Sequence, residues 1–252
     1  MSIPISSPQK KVNFENLAKD YLKIWDSIYT ELKRRNSKAL IYGSIALYYR
    51  LMNSRDSIEL LKLGRNNGPQ DLNVLVPIKY RDVFKEVVIN EGFTPYYHLE
   101  VTIGDKAGMF FMNEMIIKAY YMDKISFNHD FEVDWSQEYS LSLTDLLLTK
   151  LQIHYALDKD IADIIAILLK YDDIDKEKIA RILSNDWGFW KDAVSNLNKI
   201  RELIKKIEAN NPNTKLRDII PLSLKLIGYI NNYPKSDNWK PLGDDEKYWK
   251  DF

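Results

Sequence analysis

Between positions 14 and 35, apolar side chains recur at Phe14, Leu17, Tyr21, Ile24, Trp25, Ile28 and Leu32. This is the spacing of one helical face. Lys33, Arg34 and Arg35 follow, where positive charge favours the carboxyl end of the helix dipole. The run from Lys38 to Tyr42 is short and apolar and ends at Gly43-Ser44, and helical spacing resumes over Ile45 to Met52. The pattern predicts a strand, a tight turn and a helix. Residues 53–70 are polar, with Gly64, Asn66, Asn67, Gly68 and Pro69 near their end, and predict a loop with one helical turn at most. Asp71 to Val76 predicts a second strand stopped by Pro77, and 79–91 a helix with Gly92 at its C-cap. Residues 99–103, 107–113 and 115–122 predict further strands, the last two joined near Asn113-Glu114.

After Ser140 the period changes. Ser142 and Asp145 have the spacing of a capping box ahead of Leu146-Leu147-Leu148, with Asp in place of the usual Glu. Helices are predicted over 144–156, 159–170, 175–184, 187–209 and 214–230. The expected fold class is therefore α/β (α+β): a small mixed sheet with its helices over 1–140, a helical part over 141–232, and an irregular aromatic tail over 233–252. No internal repeat or low-complexity segment is evident.

Composition narrows the function. Of 252 residues, 45% are hydrophobic, enough for a packed core rather than a disordered chain. No run approaches the roughly 18 apolar residues of a membrane span. Met1 to Val12 is polar and contains proline, without the apolar stretch of a signal peptide, so a cytoplasmic location is expected. Lys+Arg and Asp+Glu are both 36, which removes a global field for capturing nucleic acid but leaves room for a local basic patch. With no cysteine, disulfides, thiol nucleophiles and cysteine-ligated zinc are excluded. His98, His129 and His154 lie far apart with no metal-ligand spacing. No acyl-transfer or glycosidase arrangement is readable.

One constellation carries chemistry. A strand ending in Gly-Ser at a helix start can hold phosphate: glycine permits close approach, the hydroxyl donates, and the helix N-terminus favours anions. Carboxylates at i and i+2 on a strand share a face and can place divalent metal between attacking and leaving oxygens. This chain has Ile41-Tyr42-Gly43-Ser44, a helix, and then Gln70-Asp71-Leu72-Asn73-Val74. That pair resembles the signature of the nucleotidyltransferase fold superfamily: Gly-Ser or Gly-Gly, a helix, then Asp-x-Asp or Asp-x-Glu.

The resemblance extends to Asp145 through Ile153, Lys159 to Asp163, Asn185 to Trp190, Asn196-Leu197 and Gly243 to Trp249. These look like the later parts of a group of uncharacterised prokaryotic nucleotidyltransferase-like proteins. Nucleotidyltransferase toxins of abortive-infection systems are similar at a greater distance. The resemblance implies transfer of a nucleoside monophosphate from an NTP to an acceptor, RNA or protein among the possibilities, with Mg²⁺ or Mn²⁺. It also implies phosphate contacts from Gly43, Ser44 and Lys150, and metal contacts from Asp71 and Asn73.

Two departures bear on activity. Asn73 stands where a second carboxylate is expected, and an amide carbonyl brings no charge to a hard cation. A third acidic residue is expected on a later strand, yet Met115 to Tyr121 holds Lys118 and no carboxylate. Glu114 shares the strand parity of Lys118 and is a substitute ligand by pattern alone. Three carboxylates thus become one carboxylate, one amide and one ammonium. The alternative is a degenerate relative that binds nucleotide, RNA or protein without turnover.

Each residue also has a plain structural role open to it. Ser44 can be a helix cap, and Lys150 a salt-bridge partner of Asp160 and Asp163, which share a helical face. Lys118 can be a snorkelling edge residue or a phosphate contact in place of a metal. Trp187 and Trp190 have the spacing of packing anchors. Together with Trp239, Tyr248 and Trp249 they also invite a base-stacking reading, to which packing is the stronger alternative.

Overall fold

The computed structural model describes residues 13–65, 68–210, 216–243 and 246–250. The polar segment Met1 to Val12, Asn66-Asn67 and the start of the helix expected at 214 lie outside the described residues. So do two positions inside the Gly243 to Trp249 motif and the chain's last two residues.

Helix α1, Phe14–Arg34, begins at Asn13, whose side chain accepts from the Glu15 and Asn16 amides. It buries Phe14, Ala18, Tyr21, Trp25, Ile28 and Leu32 along one face. Strand β1, Leu40–Tyr42, then turns through Gly43 into α2, Gly43–Leu51. The expected loop that follows instead holds α3, Arg55–Lys62. Ser54 caps it, and Ile58, Leu60 and Leu61 are buried. Eight residues offer too few turns for periodicity to stand out; burial against a later helix stabilises the segment.

Strand β2, Leu72–Val76, leads to α4, Arg81–Asn90, which is closed by Gly92 at φ +94. Two further strands follow: β3, Thr94–Pro95, and, after helix α5, Tyr97–Ile103, strand β4, Ala107–Met112. A strand was expected at 99–103, and a helix is found. Thr102 returns its hydroxyl to the His98 carbonyl as helical back-bonding requires, and β3 already takes the pairing edge of β4. Strand β5, Met115–Tyr121, precedes a small hairpin of β6, Lys124–Ser126, and β7, Asp130–Glu132, which the pattern did not signal.

The main sheet runs β1-β2-β5-β4-β3. Only β2 and β5 are parallel; the other neighbours are antiparallel. The register places Tyr42, Asn73 and Lys118 side by side across β1, β2 and β5. Cross-strand neighbours point to the same face, so these three side chains share one surface of the sheet.

The helical part comprises α6, Leu143–Leu151; α7, Asp158–Leu168; α8, Lys176–Leu183; α9, Trp187–Asn210; and α10, Ile219–Asn232. Ser142 caps α6 through the Asp145 amide, as the spacing implied. The Asp145 carboxylate does not return the cap; it accepts from the Asp134 amide and pairs with Lys178. Strands therefore give way to helices near residue 140, while one hydrophobic cluster runs through both parts. Arg50 ties the junction down by donating to Ser140 and to the carbonyls of Ser140 and Leu141. Helices α3 and α7 pack together, and α2 packs on α6. No helix among the described residues is long and apolar enough to cross a membrane.

Candidate functional site

The Gly43-Ser44 turn is built by backbone geometry. Gly43 sits at φ +74, a region L side chains rarely adopt. A Cβ there would also press on the Asn73 side chain, 3.3 Å from its amide nitrogen. Glycine is thus required for the turn and for its close approach to β2. Helix α2 has no side-chain cap, so Ser44 is not a cap. Its first amides lie beside the cavity that Gly43 and Ser44 line.

That cavity, about 510 Å³, is mostly polar and is lined by Ser44, Asp71, Asn73, Lys150, Lys159 and Asp160 among others. Tyr21 positions the carboxylate. Its hydroxyl donates to the Gln70 carbonyl at 2.9 Å and accepts from the Ile116 amide at 3.3 Å, bridging β2 and β5 where Asp71 emerges. Burial chiefly holds the Tyr21 phenol above its usual range, so it stays a donor. Tyr42 is pushed well above that range, first by burial, then by Tyr120 and Asp71.

Asp71 is already engaged. One oxygen accepts from the Asn73 amide at 2.7 Å and the other pairs with the Lys118 ammonium at 2.6 Å. Glu114, the expected substitute ligand, does not join them. It is exposed in the turn between β4 and β5, one residue after Asn113 at φ 54, and does not line the cavity. In the parallel register Lys118 is the neighbour of Asn73, so it, and not Glu114, reaches Asp71.

The residues present therefore do not fit a pair of dications. The Asn73 amide takes one Asp71 oxygen and the Lys118 ammonium the other. Among the described residues no group of three or more His, Cys, Asp or Glu is placed to hold a metal.

Lys150, Asp160 and Asp163 converge. The Lys150 ammonium lies 3.0 Å from Asp160 and 2.8 Å from Asp163, and it faces the same cavity as Gly43 and Ser44. Arg65 adds a second cation on Asp163 at 2.6 Å. Burial alone would lower the Lys150 pKa; Asp163 and Asp160 outweigh it, and the net shift is upward. Asp160 also accepts from the Leu157 amide and thereby caps α7. Lys159 lines the cavity and makes no ion pair among the described residues. Sequence reasoning missed Arg65, which it placed in a loop, and Tyr21, which it counted only as helix core. Neither carries a local signal.

No family model matches the chain, and a search of curated proteins finds no match. Among solved structures it is similar to the antibiotic-resistance factor ANT(2'')-Ia in its solution structure. The TM-score is 0.43 and the identity 10%, over 76% of this chain and 99% of that one. A likeness of that size carries no functional argument, which has to come from the cleft itself.

Two of the three histidines, His129 and His154, bond carboxylates through their rings. His129 is 3% exposed and bonds Asp186 at 2.9 Å through Nδ1 and Asp192 at 3.2 Å through Nε2. His154 Nδ1 bonds the other Asp192 oxygen at 2.7 Å. Burial pulls the His129 pKa down, but its bonds to Asp186 and Asp192 win and raise it. A raised folded-state pKa stabilises the fold fully below the unfolded value, 6.5, and that contribution is lost as pH rises through the folded value. Unfolding free energy from urea titrations is expected to decline as pH rises above 6.5, and His129→Gln to flatten the decline. An unchanged slope in the variant would show that His129 is neutral in the fold.

Proposed function

We propose that this chain is a nucleotide-binding relative of the nucleotidyltransferases whose cleft takes the phosphates of a nucleotide without a divalent cation and transfers poorly or not at all. One observation carries the reading. Beside the Gly43-Ser44 turn, Asp71, the one carboxylate of the Asp71, Asn73 and Lys118 set, is neutralised by Lys118, the register partner of Asn73 on the next strand. Phosphoryl transfer requires developing charge to be neutralised at both attacking and leaving oxygens. A single carboxylate closed by an ammonium gives metal no hold for that.

What persists supports binding. Gly43 keeps the backbone close, Ser44 offers a hydroxyl, and the uncapped N-terminus of α2 offers amide donors. Around them stand the cations Lys118, Lys150, Arg65 and Lys159 against the carboxylates Asp71, Asp160 and Asp163, an excess that favours an anion. In this reading NTP is a ligand, Mg²⁺ or Mn²⁺ is dispensable, and an RNA or protein acceptor is not needed.

Calorimetric titration with NTP, in EDTA and then in Mg²⁺, tests the proposal alongside transfer of radiolabelled NTP to bulk RNA and protein. Affinity is expected to change by less than about threefold between the two conditions, with no label transferred. Robust transfer by the natural chain, abolished by Asp71→Ala, would overturn it.

A further inference from the structure

The cleft continues past Lys150. Tyr42, Gly43 and Lys150 also line a second cavity, about 530 Å³, whose walls differ in kind from the first. Tyr42, Tyr120 and Phe127 form one side, and His154, Tyr155 and Trp249 contribute the other. Tyr42 and Tyr120 pack on Phe127 with ring centres 5.5 and 5.4 Å apart, and Trp249 stacks on His154 at 3.9 Å and 10°. No carboxylate among the described residues lines this space, while Lys150 and Lys250 both do.

Gln152 is the decisive wall residue. It is 2% exposed. Its Oε1 accepts from the Asn128 amide at 2.9 Å and the His129 amide at 3.0 Å, which settles which end of the side chain is nitrogen. Its Nε2 is buried with no hydrogen-bond partner. Buried donors are ordinarily satisfied, so an orphan on a cavity wall calls for an acceptor from a ligand.

We infer that this second cavity is the ring pocket of the nucleotide site, in which a nucleobase packs among the aromatic walls and a ring carbonyl or ring nitrogen accepts from Gln152 Nε2. The inference rests on reading the first cavity as the phosphate site; Gly43 and Lys150, common to both linings, make the two cavities neighbours. The chain supplies one wall from its own C-terminal segment. Tyr248 donates to Asp192 at 3.1 Å, and the Lys250 amide donates to Asn128 at 2.7 Å, holding Trp249 in place between them. Stacking on such a wall suits a planar ring and tolerates different bases, whereas the Gln152 donor selects those that present an acceptor.

The test is calorimetry on the full chain with the four NTPs, inorganic triphosphate and the four nucleosides, for the natural protein, Trp249→Ala and Gln152→Glu. At least one NTP is expected to bind about tenfold or more tighter than inorganic triphosphate. Trp249→Ala is expected to shrink that advantage below about threefold with triphosphate affinity unchanged. Gln152→Glu, which turns the donor into an acceptor, is expected to lower NTP affinity and to flatten the preference among the four bases, since the selecting donor is gone. Trp249 is half-buried near the chain end, so its replacement tests the pocket even where Gln152→Glu does not fold. An NTP advantage and nucleoside affinity that Trp249→Ala leaves unchanged would overturn the ring pocket, as would no NTP preference with no nucleoside bound. Nucleoside binding that is lost in Trp249→Ala, with no triphosphate bound, would keep the ring pocket and overturn the phosphate reading instead.

Discussion

Millimolar Mn²⁺ is expected to raise the melting temperature of an Asn73→Asp/Lys118→Asp chain by about 5 °C or more, and to leave the natural chain unmoved. In the natural fold, Asn73 and Lys118 are register partners on parallel strands, and Asp71 lies two residues before Asn73 on the same face. Replacing both by aspartate would gather three carboxylates on one sheet surface, with side chains of neighbouring strands about 5 Å apart at Cβ. Without metal their repulsion destabilises the fold. A cation bound at a hundred times its dissociation constant returns about 2.7 kcal/mol, and for a chain of this size each kcal/mol moves the melting temperature by roughly 2–4 °C. The readout does not depend on turnover, so it reports the site and not the acceptor. Should the natural chain show an equal Mn²⁺ shift, Lys118 does not block the metal position, and the degenerate-site reading falls.

Lys150→Met is the second large effect, expected to destabilise the fold by about 3–5 kcal/mol in urea titration with an unchanged m-value. Lys150 reaches two carboxylates on α7, and the Asp163 side chain is wholly buried. Removing one member of a buried ion cluster leaves the others desolvated and uncompensated. Arg65 still pairs with Asp163, so most of the loss falls on Asp160, whose remaining bond is the α7 cap. A companion chain with Asp160→Asn as well as Lys150→Met is expected to recover part of the loss, because the orphaned charge is gone. A loss under about 1 kcal/mol would mean that the pairs are screened by solvent. Lys150 would then be free for a ligand, as the family resemblance implies. A full loss would instead make it first a strut that fixes the wall between the two cavities.

Local signals were strongest where one element carries its own reason to form. Asn13 and the face from Phe14 to Leu32 specify α1, the apolar strand ending at Gly43 specifies the turn, and Ser142 caps α6; all were legible. Misreadings fell where a neighbour decides. The short helix α3 exists because α7 covers Leu60 and Leu61, and 97–103 is helical because β3 already occupies the edge that a strand there would need.

The same division runs through the cleft. Sequence alone determined the Gly43-Ser44 turn, the Asp71 and Asn73 spacing and the missing acids, because turn geometry and strand period are properties of a few consecutive residues. Tertiary structure alone decided that Lys118 and not Glu114 meets Asp71, since that follows from the register of two strands more than 40 residues apart in the chain. It also decided that Arg65, Asp163 and Lys150 form one cluster, and that His129 and His154 share Asp192. Ion pairs and hydrogen bonds between distant segments are chosen by how helices pack, and packing is a property of the whole core rather than of any window along the chain.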